Sequence, residues 1–531
     1  MPQRVGVIGG GVAGLACARR LLELGADVVV FDTGKRAPGG RASSRVWHSA
    51  LPADHAAQLC VASTPQFARL LEQLEAGGAI TRYTGRLGTL AAPAAAGEAA
   101  RFAAIDDGRP RFHGVKGMAS FIGALAGGID VRQDIWVPPS SGLRKLSDGA
   151  WEVREKARHR FDAIVIAHNG KCAARLTTPS AAQPARALHA LLRVRFGARL
   201  RAARAGEGAM QLNSIYSLLF ELPRDVLPSA IGDAVFVKGE RSLRWLSNNA
   251  VKYAARDEPT HVWTALSSGE FGAAHKQPQE QLEGTEAERE ISGLLLEAVE
   301  RATGMQPGDV SQKVLRSKLQ LWGAAVPLNR WDSDFVWDAE HAIGAAGDWL
   351  SADASVGSSV EAAWLSGVRL AEHVASEAAQ RSFGLALGEE GGRFVPVDAG
   401  GFGSMDEKLP PPAWVAAPAA VAVPQGRRES SEAPRRKAER LADGGVGAAL
   451  FLLNVPFDAA EEELQAHMES VAGCGGVTSV RFLYLQDGRP RGLAKVQMAS
   501  AALATKCIAQ LDGMPFRGRE LRVRADTPCR S

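Results

Sequence analysis

Three glycines near the N-terminus are spaced to hold a diphosphate. Gly9, Gly11 and Gly14 stand at G-x-G-x-x-G spacing directly after the apolar run Val5–Ile8. Gly9 permits a tight turn, Gly11 lets the main chain approach a pyrophosphate with no Cβ in the way, and Gly14 lets the following helix pack close. The unpaired N–H groups and partial positive charge at that helix's N-terminus then face the phosphates. Asp32 closes the next apolar run, Asp27–Asp32, where a carboxylate accepts hydrogen bonds from adenosine ribose hydroxyls. An acid there disfavours NADP, whose 2′-phosphate it repels. The glycine spacing alone is a weak signal. Strand, turn, helix, strand and acid in register are a much stronger one.

These residues need a scaffold. Val5–Ile8 reads as a short buried strand, and Leu15, Leu22 and Leu24 with Ala18 give the next segment an apolar helical face. Phe161–Ala167 reads as a second buried strand, with Trp151-Glu152-Val153 in another strand across a turn. Residues 190–310 alternate strand-like runs, such as Leu191–Phe196 and Val262–Leu266, with a helical stretch near Glu286–Ala302. That stretch is expected to be a mixed-sheet substrate domain inserted into the nucleotide domain. The chain then returns with a strand over His341–Asp348 and a helix over Val360–Ser376, whose apolar side carries Ala363, Leu370 and Val374.

A chain of 531 residues has room for two to four domains. Its net charge of +4 is too small for a global polyelectrolyte role. Cys17, Cys60, Cys172, Cys474, Cys507 and Cys529 form no C-x-x-C pair, which argues against a zinc module or a disulfide framework and suits a reducing compartment; no metal is expected. The first strand opens close to Met1, and no run of about 18 apolar residues occurs, so no membrane span is expected. Cytoplasmic residence is the expectation, with the nucleus as the alternative. There is no G-x-S-x-G elbow, H-E-x-x-H pair or G-K-[ST] phosphate loop.

Residues 39–45, Gly-Gly-Arg-Ala-Ser-Ser-Arg, resemble the G-G-R segment of the flavin amine oxidase superfamily. In that superfamily Gly39, Gly40 and Arg41 would run along the FAD pyrophosphate and ribityl chain, and a guanidinium with several fixed donors suits that anionic linkage. Residues 3–376 resemble its renalase-like branch in pieces. Asp54-His55-Ala56-Ala57-Gln58 is similar to the D-H-G-A-Q segment, with Ala56 in place of glycine. Gly117-Met118 is similar to a G-M before a helix. Gly347-Asp348-Trp349-Leu350 and Val360-Glu361-Ala362-Ala363-Trp364-Leu365-Ser366-Gly367 are similar to the C-terminal G-D-W-L and V-E-G-A-x-L-S-G. The resemblance implies that Gly347 and Asp348 contact FAD. It also implies that the helix opening at Val360 and Glu361 approaches the isoalloxazine carbonyl, where a helix dipole stabilises the charge of reduced flavin. Gln320, Leu321 and Ala324 depart from an H-R-W-x-Y-A pattern that keeps Trp322. The flavin site looks intact and the substrate face altered. Trp322 has two readings, flavin lining or plain core, and His55 two, site residue or structural histidine. No residue is assigned a catalytic role. The implied activity is hydride transfer from a reduced nicotinamide dinucleotide or an amine to non-covalent FAD, with dioxygen reoxidising it to give hydrogen peroxide.

Residues 381–447 are rich in Gly, Pro, Ala and charge, including Pro410-Pro411-Pro412 and Arg435-Arg436-Lys437, and read as a flexible linker. Residues 448–531 resemble an RNA recognition motif. Leu450–Val455 is similar to its first-strand signature and Arg491–Met498 to its third. Helical segments Ala460–Val471 and Ala499–Leu511 and a closing strand over Arg517–Val523 complete a β-α-β-β-α-β order. Such a sheet stacks bases of single-stranded RNA on its aromatics. Phe451 is retained, while Leu493 and Lys495 hold the two third-strand positions that are usually aromatic. The resemblance makes Phe451, Asn454, Arg491, Lys495, Arg522 and Arg524 the candidate RNA contacts, with Arg489 adding local charge. Ten basic against nine acidic residues over 448–531 is a modest footprint, so a sheet that binds protein or nothing stands as the other reading.

The expected fold is α/β: a discontinuous Rossmann-type FAD-binding region over 1–380, the linker, and a small α+β ferredoxin-like recognition motif. The expected function is a FAD-dependent oxidoreductase with an appended RNA-binding module. The competing reading is an RNA-binding protein whose flavin domain is a non-catalytic scaffold or redox sensor.

Overall fold

The computed structural model describes residues 4–47, 51–138, 141–155, 157–177, 186–197, 209–278, 282–353, 356, 358–376, 393–397, 449–453, 455–456, 459–471, 476–484, 490–517 and 519–525. It divides into two units, Met1–Ala420 and Val421–Ser531.

The first unit is built on a six-stranded sheet in the order Val336–Asp338, Ile343–Ala345, Ala163–Ile166, Arg4–Ile8, Asp27–Phe31, Asp130–Arg132. All neighbours run parallel except the first pair. The central strands are buried on both faces, which is why they read as unbroken Val/Ile runs rather than as alternation. The helix Val12–Glu23 covers one face beside the returning helix Val360–Ala375. The two cross tightly because Gly367 has no side chain: a Cβ there would fall 2.2 Å from the Ala13 carbonyl oxygen. The buried face of Val12–Glu23 carries Leu15, Ala18 and Leu21, whereas Leu22, expected inside, is exposed. The helical period sets Leu22 on the face of Leu15 and Ala18, so its exposure is decided by what packs against the last turn and not by the period.

The second lobe of this unit is a seven-stranded mixed sheet. Its order is Arg316–Trp322, Ile215–Pro223, Thr260–Ser267, Leu243–Asn248, Ala234–Lys238, Leu87–Ala91, Arg101–Ala104. Only Ala234–Lys238 and Leu87–Ala91 pair in parallel. The helix Glu286–Thr303 packs on one face through Ile291, Leu295 and Val299. It starts at Thr285, whose hydroxyl accepts from Glu288 N, and stops at Gly304 in the left-handed region. The lobe is therefore not confined to 190–310. It takes two strands from 87–104 and its edge from 316–322, because sheet pairing joins segments by complementarity and not by proximity in sequence.

Phe394–Pro396 falls in the stretch expected to be linker, yet it pairs antiparallel with Asn329–Trp331. Phe394 lies against Trp331 and Trp349, with ring centroids 4.9 and 6.4 Å apart. Phe394 is partly buried against this core, which adds apolar contact to the strand pairing. Apart from 393–397, the expected linker, with Pro410–Pro412 and Arg435–Lys437, lies outside the described residues.

The second unit has a four-stranded antiparallel sheet in the order Val477–Tyr484, Pro490–Met498, Ala449–Leu453, Arg522–Ala525. Helices Glu461–Ser470 and Ala501–Leu511 cover one face. Leu450, Leu452, Ala494 and Val496 meet Leu464, Met468, Cys507 and Leu511 in the core. Strand alternation puts Phe451 and Lys495 on the other face. Of the expected closing strand 517–523, Arg519–Glu520 belongs to a small hairpin with Pro515–Phe516, and the strand that closes the sheet is Arg522–Ala525. Among the described residues no helix is long and apolar enough to cross a membrane.

Candidate functional site

A cavity of about 440 Å³ opens at the carboxyl ends of Arg4–Ile8 and Asp27–Phe31, where ligands bind in open α/β sheets. Each glycine of the first turn has a different reason to be glycine. Gly9 has φ +114°, and a Cβ on it would fall 2.9 Å from the Ala167 carbonyl. A Cβ on Gly14 would sit 1.9 Å from the Gly9 carbonyl. Gly11 differs: its backbone is extended, and nothing lies within 4 Å of the position a Cβ would take. Gly9 and Gly11 line the cavity, while Gly14 serves the packing beneath it.

Asp32 also lines the cavity, and both its oxygens already hold the main chain. Oδ2 accepts from Gly10 N and Oδ1 from Gly34 N, each at 2.8 Å. Gly39 and Gly40 line it too, joined to the first turn by a bridge between Gly11 and Gly39. The guanidinium of Arg41 reaches across the cavity wall to Asp348, with bonds of 2.7 and 2.8 Å, and to the Ala325 carbonyl. Burial works to lower the Arg41 pKa. The Asp348 charge and its hydrogen bonds together outweigh it and hold the guanidinium above its ordinary value. Asp348 further accepts from Ser358 Oγ at 3.1 Å. Arg41 and Asp348, read from the sequence as two separate cofactor contacts, are thus partners of each other across 307 positions.

The returning helix brings Ser359, Val360 and Ala363 to the cavity. Ser359 caps it, accepting from Ala362 N at 3.0 Å. Gly347 is lined up beside it through a bond from its N–H to Ser366 Oγ. Glu361 does not face the cavity. Its carboxylate accepts from Ser63 N, Thr64 N and Thr64 Oγ1 at 2.6–2.7 Å, holding the start of the helix Pro65–Ala76. The residue after the first helical position points away from the first by roughly 100°.

In the segment Asp54–Gln58 only Ala56 and Ala57 touch the cavity. Asp54 is fully buried and accepts from Lys252 Nζ at 2.8 Å, Tyr253 OH at 2.6 Å, Ser44 Oγ at 2.5 Å and Met118 N at 2.9 Å. Gln58 Oε1 takes a second bond from Lys252, also at 2.8 Å. The acid and the amide of this segment therefore pin it to the second lobe. Burial presses the Asp54 carboxyl upward, but Lys252, with the Ser44 and Tyr253 hydroxyls, draws it below the usual range.

His55 stands behind Trp322. The ring centroids are 5.2 Å apart, the Trp322 indole N–H donates to the His55 carbonyl, and Trp322 itself lines the cavity. His55 Nδ1 lies 3.1 Å from Gln320 Oε1 and Nε2 3.1 Å from Ser43 Oγ. Burial, reinforced by the Arg45 charge, pulls the imidazole down to about 4. The folded state holds this histidine neutral, so its contribution to stability is complete above the unfolded histidine range, about 6.5, and is lost as pH falls toward 4. Replacing it with Asn should remove on the order of 3 kcal/mol of acid sensitivity over that window. Thermal melts of parent and variant between those pH values check this, and parallel curves would refute it.

Two donors in the lining escaped the sequence analysis. Asn169 Nδ2 and Trp349 Nε1 are buried and have no hydrogen-bond partner in the structure. A signal for the first was present: Asn169-Gly170 comes two residues after the strand Ala163–Ile166, with Gly170 at φ +88°.

On the second unit, strand register sets Arg481, Lys495, Phe451 and Arg524 side by side in one row across the sheet. The Arg524 guanidinium lies 5.1 Å and Lys495 Nζ 6.0 Å from the Phe451 ring centre. Arg522 is one step along, opposite Leu453 and 3.8 Å from an Asp512 oxygen. Arg491 lies on the strand Pro490–Met498. Asn454 and Arg489 lie outside the described residues.

Residues 7–74 match the family model of the NAD(P)-binding Rossmann-like domain, and residues 450–522 match that of the RNA recognition motif. The chain joins these two domains. Spliceosome associated factor 3, a U4/U6 recycling protein of Caenorhabditis elegans, is 40% identical over 79 residues, 15% of this chain. The match spans 9% of that relative's own length. Among solved structures, an oxidoreductase from Methanosarcina mazei is 13% identical, with 70% of this chain and 100% of that one covered and a TM-score of 0.47. Putrescine oxidase bound to putrescine is 12% identical, with 70% and 98% covered and a TM-score of 0.46. Within the recognition motif, this row carries one aromatic among three cations, and Leu493 and Lys495 hold third-strand positions that are usually aromatic.

Proposed function

We propose that the Rossmann-like unit binds FAD non-covalently and is an oxidoreductase, and that the recognition motif binds single-stranded RNA. The observation that carries the first part is the cavity's wall. It has an open approach at Gly11 and two buried donors, Asn169 Nδ2 and Trp349 Nε1, that lack acceptors. A buried unpaired donor costs about 1–3 kcal/mol, which an acceptor-rich ligand would recover. When bound, FAD supplies a ring nitrogen that accepts hydride and a reduced form that dioxygen reoxidises, giving hydrogen peroxide.

The residues divide that work. Gly9, Gly11, Gly39 and Gly40 present main chain to the diphosphate, with the N-terminus of Val12–Glu23 behind it. Asp32 keeps lone pairs free for ribose hydroxyls. Gly347, Val360 and the helix dipole at Val360–Ala375 serve the ring end. The Arg41–Asp348 pair locks the two halves of the wall together. Trp322, Ile215 and Leu266 keep water out. The hydride donor is a reduced nicotinamide dinucleotide or an amine. Cys17 and Cys172 are thiols outside any disulfide, which fits residence in the cytoplasm or nucleus.

The reading is tested on the purified full chain, mixed without oxygen with a reduced dinucleotide or an amine. Bleaching of the flavin band, recolouring in air and release of peroxide are expected. A protein that takes up flavin but is bleached by no donor would leave the unit a scaffold or redox sensor. For the second unit, salt-sensitive RNA binding that Phe451→Ala weakens by about 10-fold is expected, from a stacking loss of roughly 1–3 kcal/mol. Unchanged binding would remove the sheet face from the site.

A further inference from the structure

Two lysines share one aromatic ring beside the cavity. Lys276 Nζ lies 4.1 Å and Lys171 Nζ 5.8 Å from the centre of the Phe196 ring. Both lysines are exposed and Phe196 is half-buried. Lys276 is tethered by Ser214 Oγ at 2.9 Å and by the Gly323 carbonyl at 3.4 Å. These anchors directly adjoin Ile215, Trp322 and Ala324 of the lining. Lys171 directly precedes Cys172, another lining residue. The two sides meet where Gly170 faces Ala324, since a Cβ on Gly170 would fall 3.0 Å from the Ala324 Cβ. Among the described residues, neither lysine forms an ion pair with a carboxylate. Burial and the nearby Lys171 charge hold Lys276 below the ordinary lysine range. Both ammonium groups lie within 6 Å of one ring centre, and an anion bound beside them relieves the repulsion between them.

We infer that Lys171 and Lys276 form an anion-recognising rim that selects a negatively charged hydride donor over a cationic amine. The inference rests on the oxidoreductase reading and chooses between the two donor classes that reading leaves open. The ammonium groups act as point charges for a phosphate or carboxylate on the donor, and the Phe196 ring keeps them oriented. A diamine meets like charge at the same place. The rim acts on binding, not on the hydride step, so it moves KM and leaves kcat alone.

The test uses the flavin-loaded full chain and its Lys171→Gln/Lys276→Gln variant. The unreactive oxidised nicotinamide dinucleotide is titrated calorimetrically, and bleaching is followed with its reduced form, with glutamate, with neutral dihydronicotinamide riboside and with putrescine. The variant is expected to bind the oxidised dinucleotide about 10-fold more weakly at low salt, the difference fading at high salt. KM for the reduced form should rise about as much at constant kcat, and the neutral riboside should be unaffected. A comparable KM shift for glutamate alone would assign the rim to carboxylates rather than phosphates and would also support it. Equal binding of the anion by parent and variant, with bleaching intact, would overturn the rim and spare the oxidoreductase. So would putrescine acting faster than either anion. Bleaching by no donor at all would overturn both.

Discussion

Gly11→Val is expected to fold normally and to lose the cofactor. A Cβ at this position meets no atom within 4 Å, and the φ of −78° and ψ of −177° at this helix N-cap suit a β-branched residue. Its folding cost is that of a poorer N-cap, about 1 kcal/mol. The two methyl groups then occupy the space that the main chain leaves for a diphosphate. Flavin affinity should fall by at least about 100-fold, equivalent to roughly 3 kcal/mol. Gly14→Ala is the contrasting variant: its methyl would fall 1.9 Å from the Gly9 carbonyl, so the turn itself must break. Flavin content after purification, together with melting of the flavin-free proteins, separates the two effects. A stable Gly11→Val protein that still carries flavin at the parental ratio would remove the glycine turn from the site.

Lys252→Met should be the most destabilising single change in the first unit. Lys252 and Asp54 are both buried, with side chains 2% and 0% exposed, and they are 2.8 Å apart. Removing the lysine leaves the carboxylate with hydroxyl and amide donors but no countercharge. Breaking such a pair costs about 3–5 kcal/mol. For a unit of this size that lowers the melting temperature by about 4–6 °C. Asp54→Asn combined with Lys252→Met should recover a good part of the loss, because no charge then stays buried alone. The same loop carries Ala56 and Ala57 into the cavity wall, so flavin affinity should fall together with stability. A single variant that melts like the parent, or a double variant worse than the single, would show that the pair does not pin the lobes.

Local patterns carried much of this fold. Val5–Ile8, Asp27–Phe31 and Ala163–Ile166 were legible because a strand buried on both faces must be apolar throughout, and the glycine turn because its main-chain geometry admits few other residues. The recognition motif was legible because its strand and helix periods alternate within one short stretch, although its first strand pairs with two distant ones, Pro490–Met498 and Arg522–Ala525. The second lobe was less so. Leu87–Ala91 pairs with Ala234–Lys238, and nothing in either run marks the other as its partner.

The sequence by itself determined the glycine turn between two buried strands, the helix from Val360, and the alternating elements of the recognition motif; that the Val360 helix comes back to the turn was implied by the family resemblance alone. The first three depend on covalent geometry and side-chain periodicity within a few turns of chain. Only the tertiary structure decided what the polar residues do. It gave Arg41 to Asp348, Glu361 to Ser63 and Thr64, and Asp54 to Lys252, and it left Asn169 and Trp349 without partners at the cavity. A charged or polar group is satisfied by whichever complementary group the fold brings within about 3 Å, and that proximity is a property of the packed chain rather than of any segment of it.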